Sequence, residues 1–133
     1  MRGGRKNCDI EVTDEFKSWW NRLTAREQDD VTRVVEALEE HGTDLPKQYS
    51  SGILTSKYGH MRELRLRSGG QPIRIFYAFD PRRTAILLIG GRKTHPERFY
   101  EEYVPRADAI YDQYLRELRR ERLIEREREG ESR

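Results

Sequence analysis

The spacing of apolar residues along this chain changes period twice, and each change marks a new kind of element. Thr13 followed by Asp14 and Glu15 reads as a helix N-cap with acids in the first turn, where they favour the helix dipole. Phe16, Trp19, Trp20 and Leu23 then fall at i, i+3, i+4 and i+7, which predicts a short amphipathic helix. Thr24 and Glu27 have capping-box spacing, and Val31, Val34, Val35 and Leu38 repeat the helical period up to Gly42, a C-cap candidate. Almost nothing separates the two segments, so they predict an αα-hairpin.

Residues 43–59, with Pro46, Ser50, Ser51, Gly52 and Gly59, read as a loop. After it the period becomes two. In "MRELRLR", Leu64 and Leu66 alternate with Glu63, Arg65 and Arg67, a strand with one buried and one charged face. "SGGQP" breaks it. "IRIFYAF" (73–79) and "TAILLIG" (84–90) follow, joined by "DPRR", a turn with Pro81 at its second position. The three strands predict an antiparallel meander, and the nearly continuous apolar content of the last two makes them central, covered on both faces. "CDIEV" offers a short strand before the first helix, with Ile10 and Val12 alternating with acids.

From Glu97 the helical period returns, and Pro105 is expected to end one helix or begin the next. Ala107, Ile110, Tyr111, Tyr114, Leu115 and Leu118 then form an apolar stripe. Beyond it, "RRERLIEREREGESR" alternates charge with little to bury and reads as a solvated helical extension that frays. The expected layout is one α+β domain over 1–118, its helices on one face of a small sheet, and a charged extension over 119–133.

Composition narrows the function. One cysteine, Cys8, excludes a disulfide framework within the chain, and no Cys/His spacing resembles a zinc site. No apolar run approaches a membrane span and the first residues lack a signal-peptide core, so a cytoplasmic protein is expected. The formal charge of +2 conceals a segregation: residues 9–45 carry 11 acidic and 4 basic groups, whereas residues 60–95 carry 8 basic and 2 acidic. The second segment attracts polyanions and the first repels them, which favours a localised phosphate site over a nucleic-acid-coating surface.

That basic segment also holds groups that transfer protons. Arg74 stands among apolar residues, where an unpaired cation is costly; it must meet water, a ligand or a carboxylate, and Glu63 on the neighbouring strand is the structural alternative to phosphate. Gly90 and Gly91 remove side-chain bulk just before Arg92, Lys93, Thr94 and His95. A bland basic turn ahead of a helix capped near Thr94 and Pro96 would look much the same. RNA cleavage without a metal needs an acceptor for the 2′-hydroxyl proton, a donor to the departing 5′-oxygen, and cations for the charge gathering on phosphorus. Arginine suits only the last task. His95 exchanges protons near neutrality, and Lys93 would do so if neighbouring cations or burial lowered its pKa. His60 is a second candidate acid, His41 sits at a helix end, and Tyr77 and Tyr100 are candidates for stacking on a base. No P-loop, nucleophile elbow or HExxH motif occurs, and no cofactor or metal is called for.

The "ELR", "RIFYAFD" and "AILLIGG" strands, the "KT" after the glycines and the "YVPRADAIYDQYL" helix resemble the RelE/HigB superfamily of bacterial type II toxins, in its phage-derived HigB-like subgroup. The resemblance covers roughly residues 9–118. It implies a RelE-like microbial-ribonuclease-type fold, ribosome-dependent cleavage of mRNA, and a helix-turn-helix antitoxin as partner. It further implies that Arg65 and Arg74 handle the scissile phosphate, that Lys93 is the basic group past the last strand, and that Tyr100 lies near a substrate-stacking tyrosine. Lys93 and His95 are then expected to share proton transfer, with Lys57, Arg62, Arg67 and Arg92 extending contact along the RNA. Glu63 departs from the RelE pattern, which has a lysine there. A non-catalytic toxin of the ParE type, acting on DNA gyrase, is the alternative with the same fold.

Overall fold

A computed structural model describes residues 6–131, with side chains through Arg122. The chain forms β1 (Ile10–Val12), α1 (Asp14–Trp20), α2 (Ala25–His41), a 3-10 turn (Gly42–Asp44), β2 (Ser50–Gly52), β3 (Arg62–Ser68), β4 (Gln71–Phe79), β5 (Ala85–Arg92) and α3 (Pro96–Glu131). The strands make one sheet in the order β1-β5-β4-β3-β2. The predicted meander is its centre. β1 joins β5 in parallel, so the sheet is mixed, not wholly antiparallel, and Ser50–Gly52, read as loop, adds an edge strand.

Local chemistry sets the helix starts and turns. Thr13 caps α1 by accepting the Phe16 N–H at 3.0 Å, and the Thr24–Glu27 capping box closes reciprocally at 3.2 and 2.9 Å. Gly69 and Gly70 both have positive φ, which gives β3 and β4 a two-residue hairpin turn that side-chain-bearing residues adopt poorly.

Helices cover both faces of the sheet, not the single face expected. On one side α1 and α2 bury Phe16, Trp19, Val31 and Leu38 against Leu64, Leu66, Ile73, Ile75, Tyr77 and Leu87. On the other, α3 buries Phe99, Val104, Ala107 and Tyr111 against Phe76, Ala78, Ile86, Leu88 and Ile89. The second layer follows from the apolar residues at alternate positions of β4 and β5 that face away from α1 and α2. Pro105 neither ends nor starts a helix; α3 runs through it. Its ring lies on the exposed side, where water can serve the carbonyl left without its N–H donor, while buried Val104 and Ala107 hold the helix to the sheet on either side. The extension expected over 119–133 continues α3 as helix to Glu131, exposed from Arg119 to Arg122; its last two residues lie outside the described ones.

One irregularity positions the site. Phe76 pairs with Ile89 but Tyr77 pairs with Leu87, so Leu88 is an extra residue, a β-bulge. Thr13 fixes it: the same hydroxyl that caps α1 donates to the Leu88 carbonyl at 2.7 Å. Because of the bulge, Leu88 and Ile89 both face α3. Side-chain parity along β5 therefore reverses, and Gly91 and Lys93 follow Ile89 to the α3 side while Arg92 turns toward α2.

Candidate functional site

On the α3 side, Arg65 of β3 lies directly across from Arg74 of β4, and Arg74 across from Gly91 of β5. The next row pairs Arg67 with Pro72, whose carbonyl accepts the Lys93 backbone N–H at 2.9 Å. Arg65, Arg67, Arg74 and Lys93 thus form a cationic row across three strands. Like charges at opposed strand positions repel, and Glu63, 3% exposed on the same face, provides the counter-charge. Its Oε1 lies 3.3 Å from Arg74 Nε and accepts a 2.8 Å hydrogen bond from the Tyr100 hydroxyl. The paired and phosphate-binding alternatives for Arg74 therefore meet in one place.

Arg74 is 8% exposed. It donates to the Ile73 carbonyl at 3.0 Å, yet its buried Nε–H has no hydrogen-bond acceptor among the described residues. The contact with Glu63 is an ion pair by charge and distance, with the N–H directed off the carboxylate. A buried donor left so costs about 1–3 kcal/mol. The Arg65 side chain makes no hydrogen bond or ion pair among the described residues. Arg67 donates to the Gly70 carbonyl at 3.1 Å from an exposed position.

The Lys93 ammonium lies over the Tyr100 ring, 4.9 Å from its centroid. Burial and the Arg74 cation hold its pKa below the ordinary lysine value, Arg65 acting in the same sense and Glu63 against it. Burial and the bond to Glu63 push the Tyr100 phenol up to about 12, so it stays a hydrogen-bond donor at neutral pH. Beside this row a groove of about 280 Å³ opens between Ser51, Ile53, Leu54, Thr55, Glu63 and Tyr100, with Leu54 fully exposed at its rim.

The other candidates lie elsewhere. Arg92 reaches the opposite face and donates to Glu27 of the capping box at 3.1 Å through Nε. Lys57 is paired with Asp112 of α3, and Arg62 donates to Ser50 Oγ at 3.0 Å on the α2 side. His95, exposed, immediately precedes α3; its carbonyl accepts the Phe99 N–H at 2.8 Å, and its ring has no partner among the described residues. His60 is engaged by the Tyr111 hydroxyl at 3.0 Å, and Tyr77, 1% exposed, is a core residue bonded to Ser50. Gly90 and Gly91 admit neither backbone nor ligand: a Cβ at Gly90 would meet the Trp19 ring at 2.5 Å, and one at Gly91 the Tyr103 ring at 2.7 Å. The covering role of Tyr103 was not anticipated from sequence; only the paired glycines signalled that something bulky approaches.

The family described as "Phage derived protein Gp49-like (DUF891)" matches residues 18–112, which include β2 to β5 and the whole cationic row. The chain belongs to this Gp49-like family. Two Mycobacterium tuberculosis proteins align with most of it. One, named "Putative toxin HigB3", is 34% identical over 102 residues, covering 76% of this chain and 88% of that protein. The other, "Putative toxin HigB2", is 33% identical over 104 residues, covering 77% of this chain and 52% of its own length. The HigB-like resemblance read from the meander is thereby confirmed, and the architecture of this Gp49-like chain agrees with the RelE-like fold it implies. No helix among the described residues is long and apolar enough to cross a membrane.

Proposed function

We propose that this Gp49-like protein is the toxin of a toxin–antitoxin pair and acts as an endoribonuclease on mRNA held by the ribosome. The observation that carries the reading is Arg74, a buried guanidinium with an unused donor, flanked by two cations that have no ion-pair partner of their own among the described residues. The names of the two HigB relatives support the toxin assignment. The partner is then a helix-turn-helix antitoxin, and the place of action is the cytoplasm, where ribosomes are.

In this reading the Arg74 guanidinium and Arg65 together hold the scissile phosphate, Arg65 forking onto its oxygens. Arg67 holds a flanking phosphate. The 2′-hydroxyl attacks the adjacent phosphorus and gives its proton to His95, two residues past Lys93, whose ring has no other partner among the described residues. Lys93 donates a proton to the leaving 5′-oxygen; its lowered pKa makes the ammonium a better donor. One P–O bond forms and one breaks, leaving a 2′,3′-cyclic phosphate and a 5′-hydroxyl. The chain's own cations stabilise the phosphorane, so the step needs no metal. Arg92, Lys57 and Arg62 stay outside this reading because each is turned toward another partner.

Primer extension on a defined mRNA, translated in vitro with and without the protein, tests this. New 5′ ends that require ribosomes are expected. Intact mRNA together with loss of gyrase supercoiling would replace the reading with the ParE type.

A further inference from the structure

Glu63 has no role in the chemistry above, and an anionic side chain is an unexpected occupant of a phosphate site. Its contacts define what it does. It comes from β3, Arg74 from β4 and Tyr100 from α3, so one carboxylate ties three separate elements together at the site. At 3% exposure it lies beneath the row, and its Oε1 already accepts the Tyr100 hydroxyl at 2.8 Å, which leaves it poorly placed to take a proton from RNA.

We propose that Glu63 is a positioning residue: its carboxylate holds the Arg74 guanidinium and the Tyr100 phenol in register for the scissile phosphate and supplies the negative charge that keeps the cationic row assembled before RNA arrives. The inference rests on the ribonuclease reading for its consequence in catalysis, although the arrangement is a property of the free protein. Without Glu63, Arg65 and Arg74 face each other across two strands with Lys93 beside them, and mutual repulsion spreads the three apart. Tyr100 would also lose the acceptor that fixes its ring beneath Lys93. The misdirected Nε–H explains why the carboxylate does not simply block the site. Glu63 offsets the Arg74 charge from the buried Nε side of the guanidinium, through no hydrogen bond that a phosphate would have to break.

The groups facing Lys93 are Arg74 of β4, Arg65 and Glu63 of β3, and Tyr100 of α3; of the charged ones Glu63 alone favours the protonated amine, and the Tyr100 ring adds a cation–π contact that Glu63→Gln leaves in place. Glu63→Gln keeps the shape and an acceptor for Tyr100 but removes the charge. It should lower kcat about 10- to 100-fold with little change in KM, the size of effect that follows from misplacing a catalytic group. The titration of Lys93, followed by NMR of its side chain in the free protein, should move to lower pH, and with it the alkaline limb of the pH–rate profile. Glu63→Asp, which retains the charge, should restore the Lys93 titration while kcat recovers only in part.

An unchanged Lys93 titration and kcat in folded Glu63→Gln would overturn the inference. So would a fall in kcat with the titration unmoved, which marks a purely structural residue. If Glu63→Gln does not fold, Glu63→Asp and Tyr100→Phe decide it by the same two measurements: the Lys93 titration must stay near wild type in the first, and kcat must fall in both. Should wild type cleave no mRNA, the ribonuclease reading fails, while the NMR titration still decides whether Glu63 organises the row.

Discussion

The two faces of the sheet treat arginine differently. On the α1–α2 face, Arg92 meets Glu27 and Arg62 meets Ser50, each beside well-packed apolar residues. On the α3 face, Arg65 and Lys93 have no carboxylate of their own among the described residues, and Arg74 shares one without a hydrogen bond to it. Both faces are built from the same alternating strands, so the difference lies in what the helices bring. Here α2 delivers an acid to its cation, whereas α3 delivers aromatic rings and leaves the cations to an outside anion. Unmatched charge, more than the amount of charge, separates a binding face from a structural one.

The strongest way to break this contrast is on the α3 face. Arg74→Ala should lose about 2.7–4 kcal/mol of transition-state stabilisation if it acts like other preorganised charge-stabilising donors. Growth arrest on expression would disappear while circular dichroism reports a folded protein; undiminished arrest would mean that the row is not the site. Next in size is Gly91→Ala, whose Cβ would sit 2.7 Å from the Tyr103 ring. Overpacking of this kind costs about 1–3 kcal/mol in denaturant unfolding. It should also reduce cleavage, because Gly91 is the cross-strand neighbour of Arg74.

The α2 face should respond weakly. Arg92→Ala removes a half-exposed cation and should cost only about 0.2–1 kcal/mol, leaving cleavage intact. Its clearer signature is in acid. The Thr24 backbone N–H and then Arg92 hold the Glu27 carboxyl below its usual value of 4.5. A depressed folded pKa stabilises the protein above the unfolded pKa, and that contribution is lost as pH falls through the folded one. Wild type should therefore lose stability below about pH 4.5, and Arg92→Ala, by letting the Glu27 pKa rise, should lose less over the same range. Equal acid dependence in the two proteins would remove Arg92 from the account of Glu27.

Periodicity made much of the fold legible: the hairpin of helices, the meander, the short first strand and the final helix all stand where the apolar spacing puts them. Three things were hidden for physical reasons. The apolar content of β4 and β5 showed that both faces are covered, but that α3 covers the second one depends on how it returns across the sheet, which local pattern does not encode. Pro105 looked like a boundary because its cost is local, whereas the packing of Val104 and Ala107 that outweighs it is not. The bulge at Leu88 mattered most for the site. Counting alternation through "AILLIGGRK" without it sends Arg92 to the wrong face, and only the pairing of Ile89 with Phe76 reveals the extra residue. The expected catalytic set was Arg65, Arg74, Lys93 and His95; the first three share the α3 face, Tyr100, read only as a stacking residue, lies against Lys93, and the carboxylate that joins Arg74 to Tyr100, Glu63, showed only as a possible competitor.

The two glycines before the basic segment leave the sheet with no side chains of its own at that point. Trp19 presses on it from one side and Tyr103 from the other. The ring of α1 rests on Gly90 and that of α3 on Gly91, the partner of Arg74, so the two helical layers are one thickness of peptide apart there. A methyl group added at either glycine would have to push a ring out of its layer.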